Sequence, residues 1–377
     1  MSMASSPVDP DGLMEFSVVF TDRSLNHMSK TFQGVMNDLH AMLCEVYRCE
    51  TAVIVPGGGT AGMEAVARQF AADAKVLVIR NGWFSYRWTQ IIEIGDIASE
   101  TVVIKAAQVG NETTSAFAPL SVDAITAKIR EERPGVVFAP HVETSSGIIL
   151  PDDYLKAIAE AAHDVGALFV LDCIASGAIW VDMQANGVDV LISAPQKGWS
   201  ASPAAGLVML GARAIERLGE TTSSSFTLDL RKWHDIMQAY VGGGHAYHST
   251  MPTDALVVLR DRMVETRDFG FDLARDRQWE LGTKVRALLA ENGFKSVAAP
   301  GFEAPGVVVS YTRDPDFQNG KKFMAEGMQI AAGVPLMCDE PADFRTFRVG
   351  LFGLDKLADV DGTVARLEMV LDKIAEA

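Results

Sequence analysis

The apolar positions of the chain predict one amphipathic helix followed by seven short strands. A helix is expected over residues 30–47, where apolar side chains recur at intervals of three and four. Its apolar face consists of Phe32, Val35, Met36, Leu39, Leu43 and Val46. The continuous apolar runs that follow are AVIV ending at Val55, KVLVI ending at Ile79, TVVIKA ending at Ala106, GVVFAP, ALFVLD, DVLISA and GLVML. Continuous runs, as opposed to strict alternation, are typical of strands covered on both faces.

The order of these elements predicts a two-part architecture. Strands that alternate with helical patterns are typical of a mostly parallel sheet with helices on its faces. After about Gly244 the pattern changes to a long helical stretch with charged outer faces, then to VAAPGFEAPGVVVSYT and a final helix. We therefore predict an α/β fold. An N-terminal arm and a large domain with a mostly parallel seven-stranded sheet occupy residues 1–255, and a connecting helix with a smaller C-terminal α+β domain occupies residues 256–377.

Composition and charge narrow the classes of function. The chain has 377 residues, and single cores stop growing near roughly 250–300, which agrees with two domains. The formal net charge of −16 argues against nucleic acid, because a phosphate backbone is met by clustered Lys and Arg. No apolar run spans a bilayer, the N-terminus does not resemble a signal peptide, and the four cysteines lack metal-ligand spacing. These features predict a cytoplasmic protein without a membrane, nucleic-acid or metal partner.

The first candidate for chemistry is the glycine-rich turn PGGGTAG, residues 56–62, between a strand and a helix. Backbone N–H groups at such a turn and the positive end of the helix dipole favour an anion. Gly57, Gly59 and Gly62 also satisfy G-x-G-x-x-G, so a dinucleotide site is an alternative. That alternative requires an acid after the next strand, where an arginine and an asparagine stand. A tight turn without a ligand is the simplest alternative.

Two more candidates lie where apolar strands end. Asp172 closes ALFVLD, and ligands of α/β sheets gather at the carboxyl ends of strands. A lone aspartate at that place also suits a helix cap or a loop. Lys197 follows DVLISA, and its apolar flanks indicate a side chain directed into a site. A desolvated lysine near another cation loses its proton more easily and becomes a nucleophile for carbonyls.

In chain order, the anion turn, Asp172 and Lys197 form the set that pyridoxal 5′-phosphate (PLP) requires. From about Glu45 to the C-terminus, the sequence resembles the class V aminotransferases of the type I PLP fold, near the alanine–glyoxylate, serine–glyoxylate and serine–pyruvate enzymes. The motifs that carry the resemblance, in the family's order, are PGGGTAGMEA, NGWFSYR, HVETSSGI, LDCIASGA, SAPQKGW, AYHSTMP and FRVGLFG. The resemblance implies a PLP-dependent homodimer in which Lys197 holds the cofactor as a Schiff base.

The resemblance also implies roles for single residues. Asp172 would pair with the pyridinium nitrogen, and Lys197 would act as the general base that moves the α-proton. Arg348 would clamp the substrate carboxylate, which its planar fork matches. The remaining implied cofactor contacts are Gly58, Gly59, Thr60 and Gln196 at the phosphate, Phe84 and Ile174 on the two ring faces, Ser145 at the ring hydroxyl, and Tyr247 and Thr250 reaching the phosphate from the partner subunit.

Several of these residues have structural alternatives. Phe84 is also consistent with core packing, AYHSTMP with ordinary surface, and Arg348 with an ion pair to an acid in residues 339–343. His141 is consistent with a satisfied structural histidine. Cys338 raises the alternative of a desulfurase, in which a loop thiolate attacks substrate sulfur. The chain lacks the Gly-Pro-Gly segment with which related enzymes usually start, which affects the expected pocket for the substrate side chain.

The predicted function is therefore transfer of an amino group. The donor is a small L-amino acid of the alanine, serine or aspartate type, and the acceptor is a small 2-oxo acid such as glyoxylate or pyruvate. An aminophosphonate donor also stays open, because the N-terminal segment is altered. The alternatives are a PLP-dependent lyase or desulfurase and, in another class, a dinucleotide-dependent oxidoreductase built on the glycine-rich turn.

Overall fold

The structure, a computed structural model, describes Asp9 and residues 12–376. The helices of this part of the chain are α1 (Lys30–Tyr47), α2 (Gly59–Phe70), α3 (Trp83–Ile94), α4 (Val122–Glu132), α5 (Asp152–Asp164), α6 (Met183–Asn186), α7 (Ala212–Glu220), α8 (Leu230–Val241), α9 (Thr253–Phe269), α10 (Phe271–Glu291), α11 (Pro315–Gln318), α12 (Lys321–Ala325), α13 (Leu354–Ala358) and α14 (Val360–Glu376). Within the described residues, none of the helices has the length and apolar character needed to cross a bilayer.

Two sheets carry the architecture. The strands of the large sheet are β1 (Thr51–Pro56), β2 (Lys75–Arg80), β3 (Glu100–Lys105), β4 (Val136–Pro140), β5 (Leu168–Asp172), β6 (Val190–Ser193) and β7 (Ala205–Leu210). The strands of the small sheet are β8 (Val307–Tyr311), β9 (Ala331–Ala332) and β10 (Thr346–Gly350). Two short hairpins pair Ala107–Gln108 with Phe117–Ala118 and Val142–Glu143 with Ile148–Ile149.

The large sheet contains all seven strands that the sequence predicts. Its order is β1-β7-β6-β5-β4-β2-β3. The pairings that join β6, β5, β4, β2 and β3 are parallel, whereas β7 runs antiparallel to both of its neighbours, β6 and β1. Every residue of β4, β5, β6 and β7 is buried, which explains why these strands are uninterrupted apolar runs. The predicted α/β class with a mostly parallel sheet is confirmed.

Helix α1 has the bounds that the apolar pattern predicts. Ser29 caps it by accepting a hydrogen bond from the Phe32 N–H group over 3.0 Å, which satisfies one of the free donors of the first turn. Arg48 ends the helix in the left-handed conformation at a φ of 54°. The apolar face packs against α8, α9 and β1, so this helix covers the β1 edge of the large sheet.

The small sheet is antiparallel, with the order β8-β10-β9. The expectation of one long connecting helix is wrong, because Gly270 adopts a φ of 103° and separates α9 from α10. Leu259 of α9 packs in the core of the large sheet, whereas Leu281 of α10 packs in the core of the small sheet. The domain boundary predicted after residue 255 stays a prediction, and this packing supports a division nearer Gly270.

The topology places three candidate segments at one edge of the large sheet. Strands β1, β5 and β6 point in the same direction, because β7 is antiparallel to both β1 and β6. β1 leads into the glycine-rich turn, β5 ends at Asp172, and β6 leads into the loop of Lys197. Ligands of open α/β sheets bind at this carboxyl edge, so the fold brings the predicted chemistry together.

Candidate active site

The glycine-rich turn holds the start of α2 close to the sheet. Gly57 has a φ of 122°, a backbone conformation that favours glycine. Gly58 is the N-cap residue of α2, and Gly59 is buried against Ile174. A Cβ atom at Gly59 would lie 2.6 Å from Cδ1 of Ile174, so a larger residue cannot replace it without displacement. The first N–H groups of α2, including that of Thr60, lack intrahelical partners and favour an anion.

A cavity of about 210 Å³ opens beside this turn. The predicted site residues that line it are Gly59, Thr60, Phe84, Asp172, Ile174, Gln196 and Lys197. The lining residues that the sequence reasoning did not single out are Met63, Arg87, Val142, Thr144 and Ala175. A second cavity, about 270 Å³, lies in the small domain and contains none of these side chains. The first cavity is therefore the candidate active site.

The carboxyl group of Asp172 is buried at the end of β5, with 7% of the residue exposed. The Ile174 N–H group donates to Oδ1 over 2.9 Å. Burial raises the pKa of the Asp172 carboxyl to about 7, the charge of Glu143 acts in the same direction, and the Ile174 hydrogen bond and the charge of Arg87 oppose it. A buried carboxyl with few groups that stabilise its negative charge favours a positively charged ligand atom. An ion pair with that atom would stabilise the charged form of the carboxyl.

The amine of Lys197 lies in a partly buried loop after β6. Its Nζ atom is 4.6 Å from the ring centroid of Phe352. Burial, and next the positive charge of Arg348, lower the pKa of the Lys197 amine. The loop is held tightly, because a Cβ atom at Gly198 would collide with the carbonyl of Gly177. The structure thus presents an amine that is more easily deprotonated than an exposed lysine, as a carbonyl nucleophile requires.

The ring of Phe84 is bordered by two guanidinium groups. The guanidinium carbon of Arg87 lies 5.2 Å from the ring centroid, and that of Arg348 lies 5.5 Å from it. Cations interact favourably with an aromatic face at this distance. Phe84 therefore lines the cavity and is not a side chain of the interior core.

Arg348 extends from β10 of the small sheet. Its Nε group donates to the carbonyl of Ala332 over 2.8 Å. Of the acids considered as structural partners, Asp339 pairs with a lysine of β3 over 2.7 Å, and Glu340 accepts three backbone N–H groups. Arg345 donates instead to a backbone carbonyl of the small domain. Within the described residues, Arg348 thus forms no ion pair, although the charge of Glu143 acts on its guanidinium. An arginine without an ion pair is available to an external carboxylate.

The segment HVETSSG is arranged differently from the prediction. Ser145 is fully buried, and its hydroxyl donates to Glu143 over 2.7 Å and accepts from the Trp83 N–H group over 2.8 Å. Ser145 therefore does not reach the cavity, whereas the neighbouring Thr144 lines it. The carboxylate of Glu143 also accepts the N–H group of Phe84 over 3.1 Å, which anchors the first turn of α3.

The loop AYHSTMP lies on the surface of the single chain. Tyr247 is 54% exposed, and its hydroxyl lies 3.1 Å from Oγ1 of Thr250. Its ring packs 5.5 Å from the ring of His27. Neither Tyr247 nor Thr250 lines the cavity of its own chain. A contact with a cofactor would have to come from a second subunit.

Two further side chains near the site are buried and structural. Cys338 is 4% exposed, its thiol donates to the Arg80 carbonyl over 3.4 Å, and burial raises its pKa to about 12. A thiol in that state is a poor nucleophile, because the thiolate is the reactive form. His141 lies 2.7 Å from Oγ of Ser176, and burial lowers the pKa of its ring to about 4. His141 is therefore neutral near pH 7 and serves the structure.

Arg87, Thr144 and Glu143 were not predicted from the sequence. A signal for Arg87 was present, because it follows Phe84 by three residues on one helix and lies on the same face. The adjacent hydroxyl residues of HVETSSG gave no such signal, since the sequence does not show which of Thr144 and Ser145 faces the cavity. An acid buried against a helix N-terminus, as Glu143 is, can be recognised only when the two segments are known to meet.

Comparisons with known proteins agree with this geometry. The model of the family described as aminotransferase class-V matches residues 14–343. A 2-aminoethylphosphonate–pyruvate transaminase of Burkholderia mallei is 30% identical over 338 residues, which is 88% of this chain and 85% of that protein. The crystal structure of an alanine–glyoxylate aminotransferase from Nostoc sp. is similar with a TM-score of 0.77 and 23% identity, and the match covers 92% of this chain and 89% of that one. A pyridoxamine–pyruvate aminotransferase from Mesorhizobium loti has a TM-score of 0.79 at 16% identity, over 94% and 86% of the two chains.

The cavity also fits the cofactor of this family on its own chemistry. The start of α2 offers free N–H groups to an anion, Asp172 offers a buried carboxyl to a cationic ring nitrogen, and Lys197 offers an amine of lowered pKa. These are the three groups that pyridoxal 5′-phosphate requires of a protein. The chain belongs to the class V aminotransferase family, and it is a pyridoxal-phosphate-dependent transaminase.

Proposed function

We propose that the protein moves an amino group from a small L-amino acid to pyruvate or glyoxylate. Donors of the alanine, serine and aspartate types each carry an α-carboxylate that one arginine can bind. An aminophosphonate remains an alternative donor. One observation carries the proposal: the guanidinium carbon of Arg348 lies 5.5 Å from the ring centroid of Phe84, which lines the same cavity as Lys197. The charge of Arg348 adds to the effect of burial in lowering the pKa of the Lys197 amine. A carboxylate held by Arg348 would therefore bring its α-carbon near that amine. The names of the relatives support the acceptor, because they include pyruvate and glyoxylate.

Lys197 and Asp172 would perform the proton and charge chemistry. When bound, the cofactor takes up the amino group and accepts electrons from a bond to the α-carbon. Lys197 would hold the cofactor before substrate arrives and then move the proton from the α-carbon as general base. Its lowered pKa favours the unprotonated form that this step needs. Asp172 would keep the ring nitrogen protonated, and the ion pair would offset the cost of burying its charge.

The other lining residues would orient the cofactor. The N–H groups at Gly58, Gly59 and Thr60, with the amide of Gln196, would bind its phosphate. Phe84 and Ile174 would pack on the two faces of its ring, in agreement with their positions in the cavity wall. The prediction that Ser145 binds the ring hydroxyl is not supported by its buried hydrogen bonds, and we assign that contact to Thr144 instead.

The protein would act as a homodimer in the cytoplasm, with sites shared between subunits. Tyr247 and Thr250 expose hydroxyl groups that the cavity of their own chain does not use. The N-terminal segment also exposes the apolar side chains of Leu13, Phe16 and Val18. Apolar side chains grouped on a surface are typical of contact with another molecule, and a second copy of the chain would cover them.

Subunit mixing tests the shared site. A Lys197→Ala subunit and a subunit with both Tyr247→Ala and Thr250→Ala would each lack part of the site. A mixed dimer would contain one complete site, so the mixture is expected to regain activity that neither variant shows alone. Sedimentation should show dimers throughout. An active monomer, or exchange of subunits without recovery, would reject the shared site.

The activity itself is tested by half-reactions. The purified holoenzyme would be scanned in the visible range against alanine, serine, aspartate and 2-aminoethylphosphonate. A true donor converts the cofactor to its amine form, and later addition of pyruvate or glyoxylate should restore the first spectrum. Conversion that no 2-oxo acid reverses would count against a transaminase and favour a lyase.

The alternatives receive no support from the site. A desulfurase requires a reactive thiolate, and the thiol of Cys338 is buried with a raised pKa. A dinucleotide site requires an acid at the end of the strand, and β2 ends at a buried Arg80 that is followed by a buried Asn81. Gly62, the last glycine of the pattern, serves close packing, because a Cβ atom there would lie 3.2 Å from Cα of Gly206.

A further inference from the structure

Arg87 is a cation in the cavity that none of the roles above uses. It lies in the second turn of α3, and its Nη1 group donates to Oγ1 of Thr60 over 3.1 Å. Its guanidinium carbon is 5.2 Å from the ring centroid of Phe84. Acidic residues outnumber basic ones by 49 to 33 in the sequence, yet no carboxylate among the described residues forms an ion pair with Arg87. An unpaired guanidinium beside the start of α2 is available to an external anion.

The phosphate of the cofactor is the anion that this position suits. A phosphate monoester carries about 1.5 to 2 negative charges at neutral pH, and a helix N-terminus supplies only about half a positive charge. The other groups proposed to bind the phosphate, such as the amide of Gln196, are neutral donors. Within the described lining of the cavity, the side-chain cations are Arg87 and Lys197. In the proposed function the amine of Lys197 would form the covalent bond with the cofactor, so Arg87 would remain to balance the charge of the phosphate.

We propose that Arg87 binds the phosphate of the cofactor together with Thr60. The existing hydrogen bond uses the Thr60 oxygen as acceptor, which leaves its hydroxyl proton free to donate to the phosphate. The guanidinium has further N–H groups for the phosphate oxygens, and such charge-assisted bonds are stronger than neutral ones. This inference rests on the cofactor and not on the amino donor or acceptor of the proposed function.

The position of Arg87 also links the phosphate to the ring. Its guanidinium lies over Phe84, which we place on one face of the cofactor ring, and its charge opposes the rise in the pKa of Asp172. Arg87 reaches the ring face only through Phe84, whereas its hydrogen bond to Thr60 directs it to the start of α2. Its loss should therefore weaken binding of the phosphorylated cofactor far more than binding of the ring alone.

Binding of PLP and of pyridoxal to the apoenzyme tests the proposal, because the two ligands differ only in the phosphate. Titrations followed by tryptophan fluorescence would compare the wild type with Arg87→Gln and Arg87→Lys. We expect Arg87→Gln to weaken PLP binding roughly 10- to 100-fold and pyridoxal binding less than about twofold. Arg87→Lys keeps the charge and should lose less. Arg68→Gln is the matched control, since Arg68 lies on α2 and also donates to a hydroxyl, that of Ser224, over 3.0 Å.

The phosphorus resonance of the bound cofactor gives a readout that does not depend on activity. As the pH is lowered, the phosphorus chemical shift should remain that of the phosphate dianion down to a lower pH in the wild type than in Arg87→Gln. Equal weakening of PLP and pyridoxal would overturn the proposal, because it would assign Arg87 to the ring or to folding. Unchanged PLP affinity with a raised KM for the amino donor would also overturn it. Failure of every donor in the half-reaction screen would refute the proposed function without touching this result.

Discussion

The cofactor side and the substrate side of the cavity are built in different ways. On the proposed cofactor side, Gly59 and Lys197 follow strands of the large sheet and Asp172 ends one, and close packing holds Gly59 and the loop of Lys197. On the proposed substrate side, Arg348 comes from the small sheet, where its side chain donates to one backbone carbonyl and contacts the ring of Phe84. A rigid cofactor side suits chemistry that a whole family shares. A substrate side contributed by another domain can change with the donor, and it can close on the substrate.

The largest effect should follow from Lys197→Ala on the cofactor side. Loss of both the covalent attachment and the general base should lower kcat by about 10³-fold or more. Single-turnover half-reactions with the best donor would measure the loss. Lys156→Ala, on the exposed face of α5, is the control and should stay near the wild-type rate. A Lys197→Ala enzyme that kept a tenth of the activity would assign the chemistry to another amine.

The next effect concerns the stability of the apoprotein. The pKa of Asp172 is raised by burial from 3.8 to about 7, so the folded state favours its neutral form. Well below pH 3.8 the carboxyl is protonated in both states, and the stability that the folded state has there is lost as the pH rises from about 4 to about 7. Asp172→Asn should therefore unfold like the wild type at pH 4 and be more stable by about 3–4 kcal/mol at pH 8. Urea unfolding at both pH values would measure the free energy of unfolding of the two proteins. A difference between them that did not depend on pH would contradict the burial of the Asp172 carboxyl.

In the holoenzyme, the same Asp172→Asn change should act on the rate. The amide keeps the shape of the side chain but removes the charge that holds the ring nitrogen protonated. We expect kcat to fall by about 10²-fold, in the range seen when a buried electrostatic partner is removed. Absorbance should show that the cofactor is still bound. Turnover near the wild-type rate would refute the pairing of Asp172 with the ring.

A smaller effect is expected on the substrate side, from Arg348→Ala. Loss of one charge-assisted hydrogen-bonding group should lower kcat/KM for the amino donor roughly 10- to 100-fold. Arg348→Lys should also be poor, because a point charge cannot supply a planar fork. Arg345→Ala is the control, since its side chain bonds a backbone carbonyl of the small domain. The reverse result, with Arg345 essential and Arg348 dispensable, would move the clamp to Arg345.

The sequence predicted the fold well where burial is continuous. All seven strands of the large sheet were found, because both of its faces are covered and apolar runs mark the strands. The break between α9 and α10 was missed. A single glycine in a helical pattern does not show whether it will adopt a positive φ, as Gly270 does.

The site was predictable to the extent that its residues end strands. That Asp172 and Lys197 line one cavity could be predicted, because the carboxyl ends of parallel strands meet at one edge of the sheet. The sequence does not show which of Thr144 and Ser145 faces the cavity, because that depends on which hydroxyl donates a hydrogen bond to Glu143. The spacing of Arg87 from Phe84 places both side chains on one face of α3, but the sequence does not show the contact of Arg87 with Thr60, which comes from another helix.

The most direct test of the account is reduction of the holoenzyme with borohydride, followed by peptide mapping. Reduction makes the bond between the cofactor and its lysine permanent, so the labelled peptide identifies that lysine. We predict a single phosphopyridoxyl label on Lys197 in SAPQKGW, and no label in the Lys197→Ala variant. A label on any other lysine would contradict the assignment of the cavity, of Asp172 and of the chemistry built on them.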